Sequence, residues 1–154
     1  LRALADEVQA LVGFKLGGGD EAWHRAMAAQ LGHLSVFVPG HALATGWAHG
    51  AAGAYSNVAC LGPVAAGAWN RLMGEDLPAA LALETRIQGF LAREVLPLRD
   101  RLGLSNPALD KLLAYAGGWA DIGLTLRWPY RAVPEEAARR VAAAARRDLP
   151  EFPG

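Results

Sequence analysis

The sequence predicts an α/β protein in which three strand–helix units come first and a helical tail follows. Up to Gly74, short apolar runs alternate with segments whose apolar residues recur at helical spacing. The runs are continuous, which is typical of parallel strands buried on both faces. This order predicts parallel strands joined by helical crossovers. We therefore expect residues 1–74 to form the strand–helix units and residues 75–154 to form a helical extension.

The predicted elements of the first part follow one another closely. They are a helix over 2–10, a strand over 11–15, a helix over 20–32, a strand over 34–40, a short helix over 41–50, a strand over 53–62 and a helix over 63–74. Asp20 is the expected N-cap of the second helix and Gly32 its stop. Pro63 suits a first helical position. Lys15 therefore ends a strand, and Cys60 lies within one.

The predicted tail is helical almost throughout. Residues 75–103 have the spacing of a long amphipathic helix, with a bend expected near Pro97. Asn106 is the expected N-cap of the next helix. An extended stretch over 124–133 precedes a last helix, which Pro134 opens and whose two leading glutamates suit a helix N-terminus.

Composition and charge exclude several classes of protein. Fifteen basic and fifteen acidic side chains cancel, so neither a nucleic acid nor an anionic membrane is an expected partner. No apolar run reaches the roughly 18 residues that a membrane span requires. The single cysteine, Cys60, excludes an internal disulfide and favours the reducing cytoplasm. Since the chain begins without methionine in a helical segment, we expect it to be the later part of a longer protein.

Lys15 is one of two lysines in the chain, and three glycines, residues 17–19, follow it closely. The carboxyl end of a buried parallel strand is where ligands bind in α/β sheets and barrels. A lysine between Phe14 and Leu16 is expected to be poorly solvated, which favours the neutral amine that condenses with a carbonyl to give a Schiff base. The glycines would let a small ligand approach the backbone. The alternative is a lysine that extends into solvent beside a glycine turn.

A second interpretation of the same stretch is a phosphate or dinucleotide loop. Gly17, Gly19 and Ala22 satisfy the permissive pattern G-x-G-x-x-A between a strand and a helix. Asp20 and Glu21 count against it, because they place negative charge where phosphate oxygens would bind. The next strand also ends in "VFVPG", without the acidic residue that binds a ribose.

No metal site is predicted. The spacings of the histidines match no zinc signature and no cysteine pair accompanies them. His41 follows the end of a strand and could contact a substrate. Cys60 is expected to be an inert thiol, because no basic residue is near it in the sequence.

Four stretches taken together resemble a known family. They are "VGFKLGGGD", "VFVPG", "HGAAGAYSNVACLGP" and "NPALDKLLAYAGG" followed by "LRWPY". In this order, and at nearly these spacings, they resemble the dihydrodipicolinate synthase and N-acetylneuraminate lyase family. The resemblance implies strands six to eight of a (β/α)8 TIM barrel and a C-terminal helical extension. It also implies an aldolase or dehydratase that forms a Schiff base with pyruvate or a 2-keto sugar acid and needs no cofactor.

The resemblance assigns roles to particular residues. Lys15 corresponds to the imine-forming lysine, and Gly19 to a glycine beside the bound keto acid. Tyr55 falls where the family places a residue against the substrate, although an aliphatic residue is common there. Gly17 and Ser56 are the further expected substrate contacts.

The chain also departs from the family pattern. Leu16 stands where a polar or acidic residue is frequent, and the segment after "VFVPG" is about two residues short. The family's proton-shuttling tyrosine lies on a strand outside these 154 residues. The resemblance implies a homo-oligomer, commonly a tetramer. The alternative function is a non-catalytic structural or regulatory relative with the same barrel.

Overall fold

The computed structural model describes residues 2–17, 19–55 and 57–154 of the protein. Its contacts divide the chain after Tyr55 into two compact units. The sequence predicts a different kind of division, after residue 74, between the barrel units and the helical extension. That division stays a prediction.

The first unit alternates strands and helices. Its elements are α1 (Arg2–Glu7), β1 (Gly13–Lys15), α2 (Glu21–Leu31), β2 (Ser35–Pro39), a 3-10 turn (Gly40–Ala42), α3 (Leu43–Ala48) and β3 (Gly53–Tyr55). The order and type of these elements agree with the sequence prediction. Asp20 caps α2 as expected, because its carboxylate accepts a hydrogen bond from the Trp23 N–H at 2.8 Å.

The three strands form one parallel sheet in the order β1-β2-β3. Lys15 lies beside Phe37, and Phe37 lies beside Gly53. Tyr55 lies two residues further along β3, beside Pro39. Because side chains alternate between the faces of a strand, Lys15, Phe37 and Tyr55 project from one face of the sheet.

The opposite face of the sheet carries the buried side chains. Val36 and Val38 are 9% and 0% exposed, and Val38 packs against α3, where a Cβ on Gly46 would lie 2.8 Å from its Cγ2. Phe37, on the other face, is 39% exposed. The expectation that the strands are buried on both faces is therefore not met at Phe37, and no residue of β1 or β3 is fully buried.

The described part of the second unit is helical. Its elements are α4 (Val58–Leu61), α5 (Pro63–Glu75), α6 (Leu77–Phe90), a π-helical segment (Leu91–Val95), α7 (Leu96–Leu102), α8 (Asn106–Gly117) and α9 (Glu135–Asp148). Among the described residues, no helix has the length and apolar character that a membrane crossing requires.

The third predicted strand is shorter than expected. β3 ends at Tyr55, and Cys60 lies in α4. The side chain of Asn57 starts this helix by accepting a hydrogen bond from the Val58 N–H at 2.8 Å. The assignment of Cys60 to a strand is therefore wrong. A short apolar run fits either element, and here the asparagine cap favours the helix.

The predicted single helix over residues 75–103 is divided, and a π-helical segment lies ahead of Pro97, near the position where the sequence predicts a bend. The π-helical segment separates α6 from α7, and Pro97 lies in the first turn of α7. Proline has no N–H, and its ring clashes with the carbonyl four residues earlier, so a regular helix cannot continue unchanged. The start of α8 is one residue from the prediction, because Asn106 is its first residue and Ser105 precedes it.

Two helices of the second unit touch backbone to backbone. A Cβ on Gly117 of α8 would lie 1.7 Å from the carbonyl oxygen of Leu61 in α4, so a side chain does not fit there. Nearby, the indole N–H of Trp119 donates a hydrogen bond to the carbonyl of Cys60 at 2.7 Å. These contacts fix the short α4 against α8.

Candidate active site

Lys15 lies at the carboxyl end of β1, where the sequence predicts it. Beyond it the ladder continues for one residue, because the Leu16 N–H donates to the Phe37 carbonyl at 2.9 Å. The Lys15 side chain is exposed, so the poor solvation expected between Phe14 and Leu16 is not observed. The reason is that β1 is an outer strand of the described sheet, and that Lys15 projects from the face opposite the buried Val36 and Val38.

The Lys15 side chain contacts Tyr55. The Lys15 Nζ lies 4.1 Å from the centroid of the Tyr55 ring, within the range of a cation–π interaction. The Tyr55 hydroxyl donates a hydrogen bond to the Leu16 carbonyl at 3.0 Å. The tyrosine therefore bridges the two outer strands at the carboxyl end of the sheet. The sequence places both residues at one site but does not reveal this contact, since a backbone acceptor has no sequence signature.

Phe37 belongs to the same sheet face, and the sequence pattern did not identify it as a site residue. Its ring leans over β3, where a Cβ on Gly53 would lie 3.2 Å from the Phe37 Cε1. The register of parallel strands is the signal that could have identified it, because Phe37 pairs with Lys15. Phe37 gives the face an apolar centre beside the amine.

The glycines after Lys15 differ in their surroundings. A Cβ on Gly19 would lie 2.4 Å from the Cγ and 2.6 Å from the Cβ of Trp23, so the packing of the indole explains this glycine. Nothing lies within 4 Å of the Cβ position at Gly17, which leaves room for a ligand. The substrate contacts of both glycines stay predictions. Ser56, the other predicted contact, lies outside the described residues.

The N-terminus of α2 already holds negative charge. Asp20 caps it, and Glu21 forms an ion pair with Arg25 one turn later. A phosphate at this end would meet both carboxylates, whereas phosphate loops present free N–H groups. This arrangement weighs against the dinucleotide interpretation.

The histidines do not form a metal centre in the described part of the chain. His24 and His49 stack with ring centroids 5.3 Å apart, beside a cavity of about 220 Å³. The Nδ1 of His49 lies 2.8 Å from the Thr45 carbonyl, within the same helical turn. Among the described residues, no group of three or more His, Cys, Asp and Glu side chains is placed to hold a metal ion.

Comparison with solved structures places this geometry in a known fold. N-acetylneuraminate lyase from Fusobacterium nucleatum matches with a TM-score of 0.69 and 14% identity, over 96% of this chain and 48% of that chain. 4-Hydroxy-tetrahydrodipicolinate synthase from Methylacidiphilum fumariolicum matches with 0.64 and 21%, over 98% and 49%. Dihydrodipicolinate synthase from Acinetobacter baumannii, complexed with pyruvate, matches with 0.64 and 21%, over 94% and 47%. The chain has the fold of the dihydrodipicolinate synthase and N-acetylneuraminate lyase family.

This finding confirms the predicted fold class. The chain spans about half the length of the family structures that it matches, and its parallel sheet with helices is part of an α/β barrel. No protein-family model matches the sequence, and no curated protein matches it. The likeness to the dihydrodipicolinate synthase family therefore describes the fold.

Proposed function

We propose that the chain carries the imine-forming part of a Schiff-base lyase, an aldolase or dehydratase that acts on pyruvate or a 2-keto sugar acid. The observation that carries this proposal is the position of Lys15. It lies at the end of a parallel strand, on the sheet face turned away from α3. In a closed barrel this face lines the interior, and its carboxyl end is the mouth where ligands bind.

In the proposed reaction the neutral amine of Lys15 attacks the ketone carbon of the keto acid. The carbonyl electron pair moves to oxygen, which takes a proton. The carbinolamine then loses water and becomes a protonated Schiff base. This iminium withdraws electrons from the neighbouring carbon, where a C–C bond forms or breaks or water is eliminated. Hydrolysis returns free Lys15, and the cycle requires no metal or organic cofactor.

Other parts of the proposal rest on the resemblance alone. Gly17, Gly19, Tyr55 and Ser56 would contact the keto acid. The proton-transfer group would come from a strand outside the chain. A cytoplasmic homo-oligomer, commonly a tetramer in this family, remains the expected form of the intact protein.

Borohydride trapping in the full-length protein tests the proposal. Incubation with pyruvate, or with each of several 2-keto sugar acids, followed by borohydride should leave one stable adduct on Lys15, which peptide mass spectrometry locates. Lys111 is the internal control, because its ammonium donates to the Thr125 carbonyl at 2.5 Å in the second unit. Lys111 should stay unmodified.

Two matched variants complete this test. Lys15→Arg should abolish the adduct, because a guanidinium stays protonated and cannot form an imine. Lys111→Arg should retain it. A folded full-length protein that traps none of these keto acids would contradict the lyase and favour the non-catalytic relative.

A further inference from the structure

Tyr55 offers the reacting amine an aromatic face. Its hydroxyl is engaged by the Leu16 carbonyl at 3.0 Å, so the ring cannot turn away without losing that hydrogen bond. The Lys15 Nζ lies 4.1 Å from the ring centroid. What Tyr55 presents to Lys15 is therefore the π face rather than the hydroxyl.

Lys15 would carry its positive charge as an ammonium before the reaction and as an iminium during it. These two cations differ in how strongly an aromatic face attracts them. A cation is attracted to an aromatic ring more strongly when it has lost its water. The exposed ammonium of Lys15 has three N–H bonds with which to hold water. The iminium has one N–H bond and a planar C=N group, yet it keeps the same positive charge. The ring should therefore favour the iminium over the ammonium.

We propose that Tyr55 is a positioning residue that stabilises the protonated Schiff base on Lys15 through its ring face. This inference rests on the proposed function of Lys15. The covalent step is balanced, since the ammonium and the ketone give the iminium and one water, and the positive charge stays on nitrogen over the ring. With the C=N plane against the ring, one face of the iminium is covered and the other is open to the reaction partner.

Equilibrium trapping with pyruvate in the full-length protein tests this role. The trapped fraction of Lys15, measured against pyruvate concentration, gives an apparent Kd for imine formation. Tyr55→Phe keeps the ring and should leave this Kd within about twofold, whereas Tyr55→Leu removes the ring and should raise it about fivefold. Tyr55→Met is a second ring-free variant and should behave as Tyr55→Leu does.

Lysine NMR checks the geometry separately from the chemistry. The Cε protons of Lys15 should be shifted upfield by the ring current in the wild type and in Tyr55→Phe. The shift should be lost in Tyr55→Leu and Tyr55→Met. The Lys111 signal should stay unchanged in all four proteins, which shows that the variants keep the fold around it.

The outcomes separate the two ideas. Trapping of equal strength in wild type and both ring-free variants would overturn the role of Tyr55 while leaving Lys15 as the imine lysine. An equal loss in a Tyr55→Phe variant that keeps the ring-current shift would also overturn it, since the hydroxyl would then be responsible. A wild type that shows the ring-current shift but traps no keto acid would contradict the proposed function, and the role of Tyr55 with it.

Discussion

At the scale of single residues, Gly19 is expected to serve packing, whereas Gly17 is expected to serve ligand binding. Gly19→Ala should lower the free energy of unfolding by about 1–3 kcal/mol, because the new Cβ would overlap Trp23. Gly17→Ala should change it by less than about 0.5 kcal/mol, because the Cβ position is open. Denaturant unfolding of the two variants measures the difference. Equal effects would contradict the packing assigned to Trp23.

The stable Gly17→Ala variant then probes the site. If Gly17 contacts the keto acid, this variant should weaken trapping on Lys15 without loss of stability. Undiminished trapping would remove Gly17 from the site.

Cys60 should react slowly with alkylating reagents. Burial raises the pKa of its thiol above the ordinary value, and the negative charge of Asp110 raises it further. Because the thiolate is the nucleophile, alkylation by iodoacetamide near pH 7 should be slower than that of an exposed peptide thiol. Asp110→Asn should speed it, with circular dichroism as the check on folding. A rate in Asp110→Asn no faster than in wild type would contradict the electrostatic effect of Asp110.

At the scale of elements, the close contact between α4 and α8 depends on a glycine, Gly117, at the point where they touch. Gly117→Ala should destabilise the protein by at least about 3 kcal/mol, because its Cβ would overlap the Leu61 carbonyl and neither backbone can shift freely. Gly67→Ala is the matched control inside α5, where nothing lies within 4 Å of the Cβ position. It should stabilise by about 0.5–1 kcal/mol. In thermal and denaturant unfolding, Gly117→Ala should be less stable than wild type and Gly67→Ala more stable.

An ion pair connects the C-terminal end of α9 to the π-helical segment. Hydrogen bonds from Arg147 at 2.7 Å and Arg93 at 3.0 Å hold the pKa of Asp148 below its usual value. On acidification the Asp148 carboxylate is therefore protonated at a higher pH in the unfolded state than in the folded state. Its contribution to stability is present above about pH 4 and is lost as pH falls through the lowered pKa.

Asp148→Asn should accordingly lower stability at pH 7 and flatten its decline at acid pH. Urea midpoints at pH 7, 4 and 3 measure both effects. Asp100→Asn is the control, since Asp100 pairs with the adjacent Arg99 within α7, and it should track wild type. Parallel decline of wild type and Asp148→Asn below pH 4 would contradict the role of this carboxylate.

How far the sequence predicts the structure depends on whether a signal is local. The Asp20 cap is a local feature of the backbone and was correctly predicted, and the π-helical segment lies near the bend expected at Pro97. Cys60 was assigned to a strand because a short run of apolar and small residues fits either element. The sequence leaves two possibilities for Lys15, a poorly solvated amine or a lysine that extends into solvent, since the choice depends on which strands flank β1. The contact of Tyr55 with Leu16 joins positions 39 residues apart through a backbone acceptor that every residue carries.

At the scale of the whole molecule, the two units should differ in local stability. Most of the buried apolar side chains lie in the second unit, in α6, α8 and α9 above all, whereas β1 and β3 of the first unit have no buried residue. Segments with fewer buried contacts open at a lower free energy. Hydrogen-exchange mass spectrometry of the 154-residue chain should therefore show faster exchange in β1 and β3 than in α8 and α9. Uniform protection of all four would contradict this expectation.

The π-helical segment Leu91–Val95 has a consequence for insertions and deletions. A π turn is the form that an α-helix takes when one extra residue is accommodated without a shift in the rest of the helix. Deleting one residue there should therefore restore a regular helix and leave the orientation of α7 unchanged. Leu98, now 7% exposed, should stay in the core. A deletion within α7 ahead of Leu98 has no such turn to absorb it, and it would rotate the residues that follow by about 100° relative to α6. The π turn is thus the place in this helix where a residue can be lost while the same side of α7 packs inward.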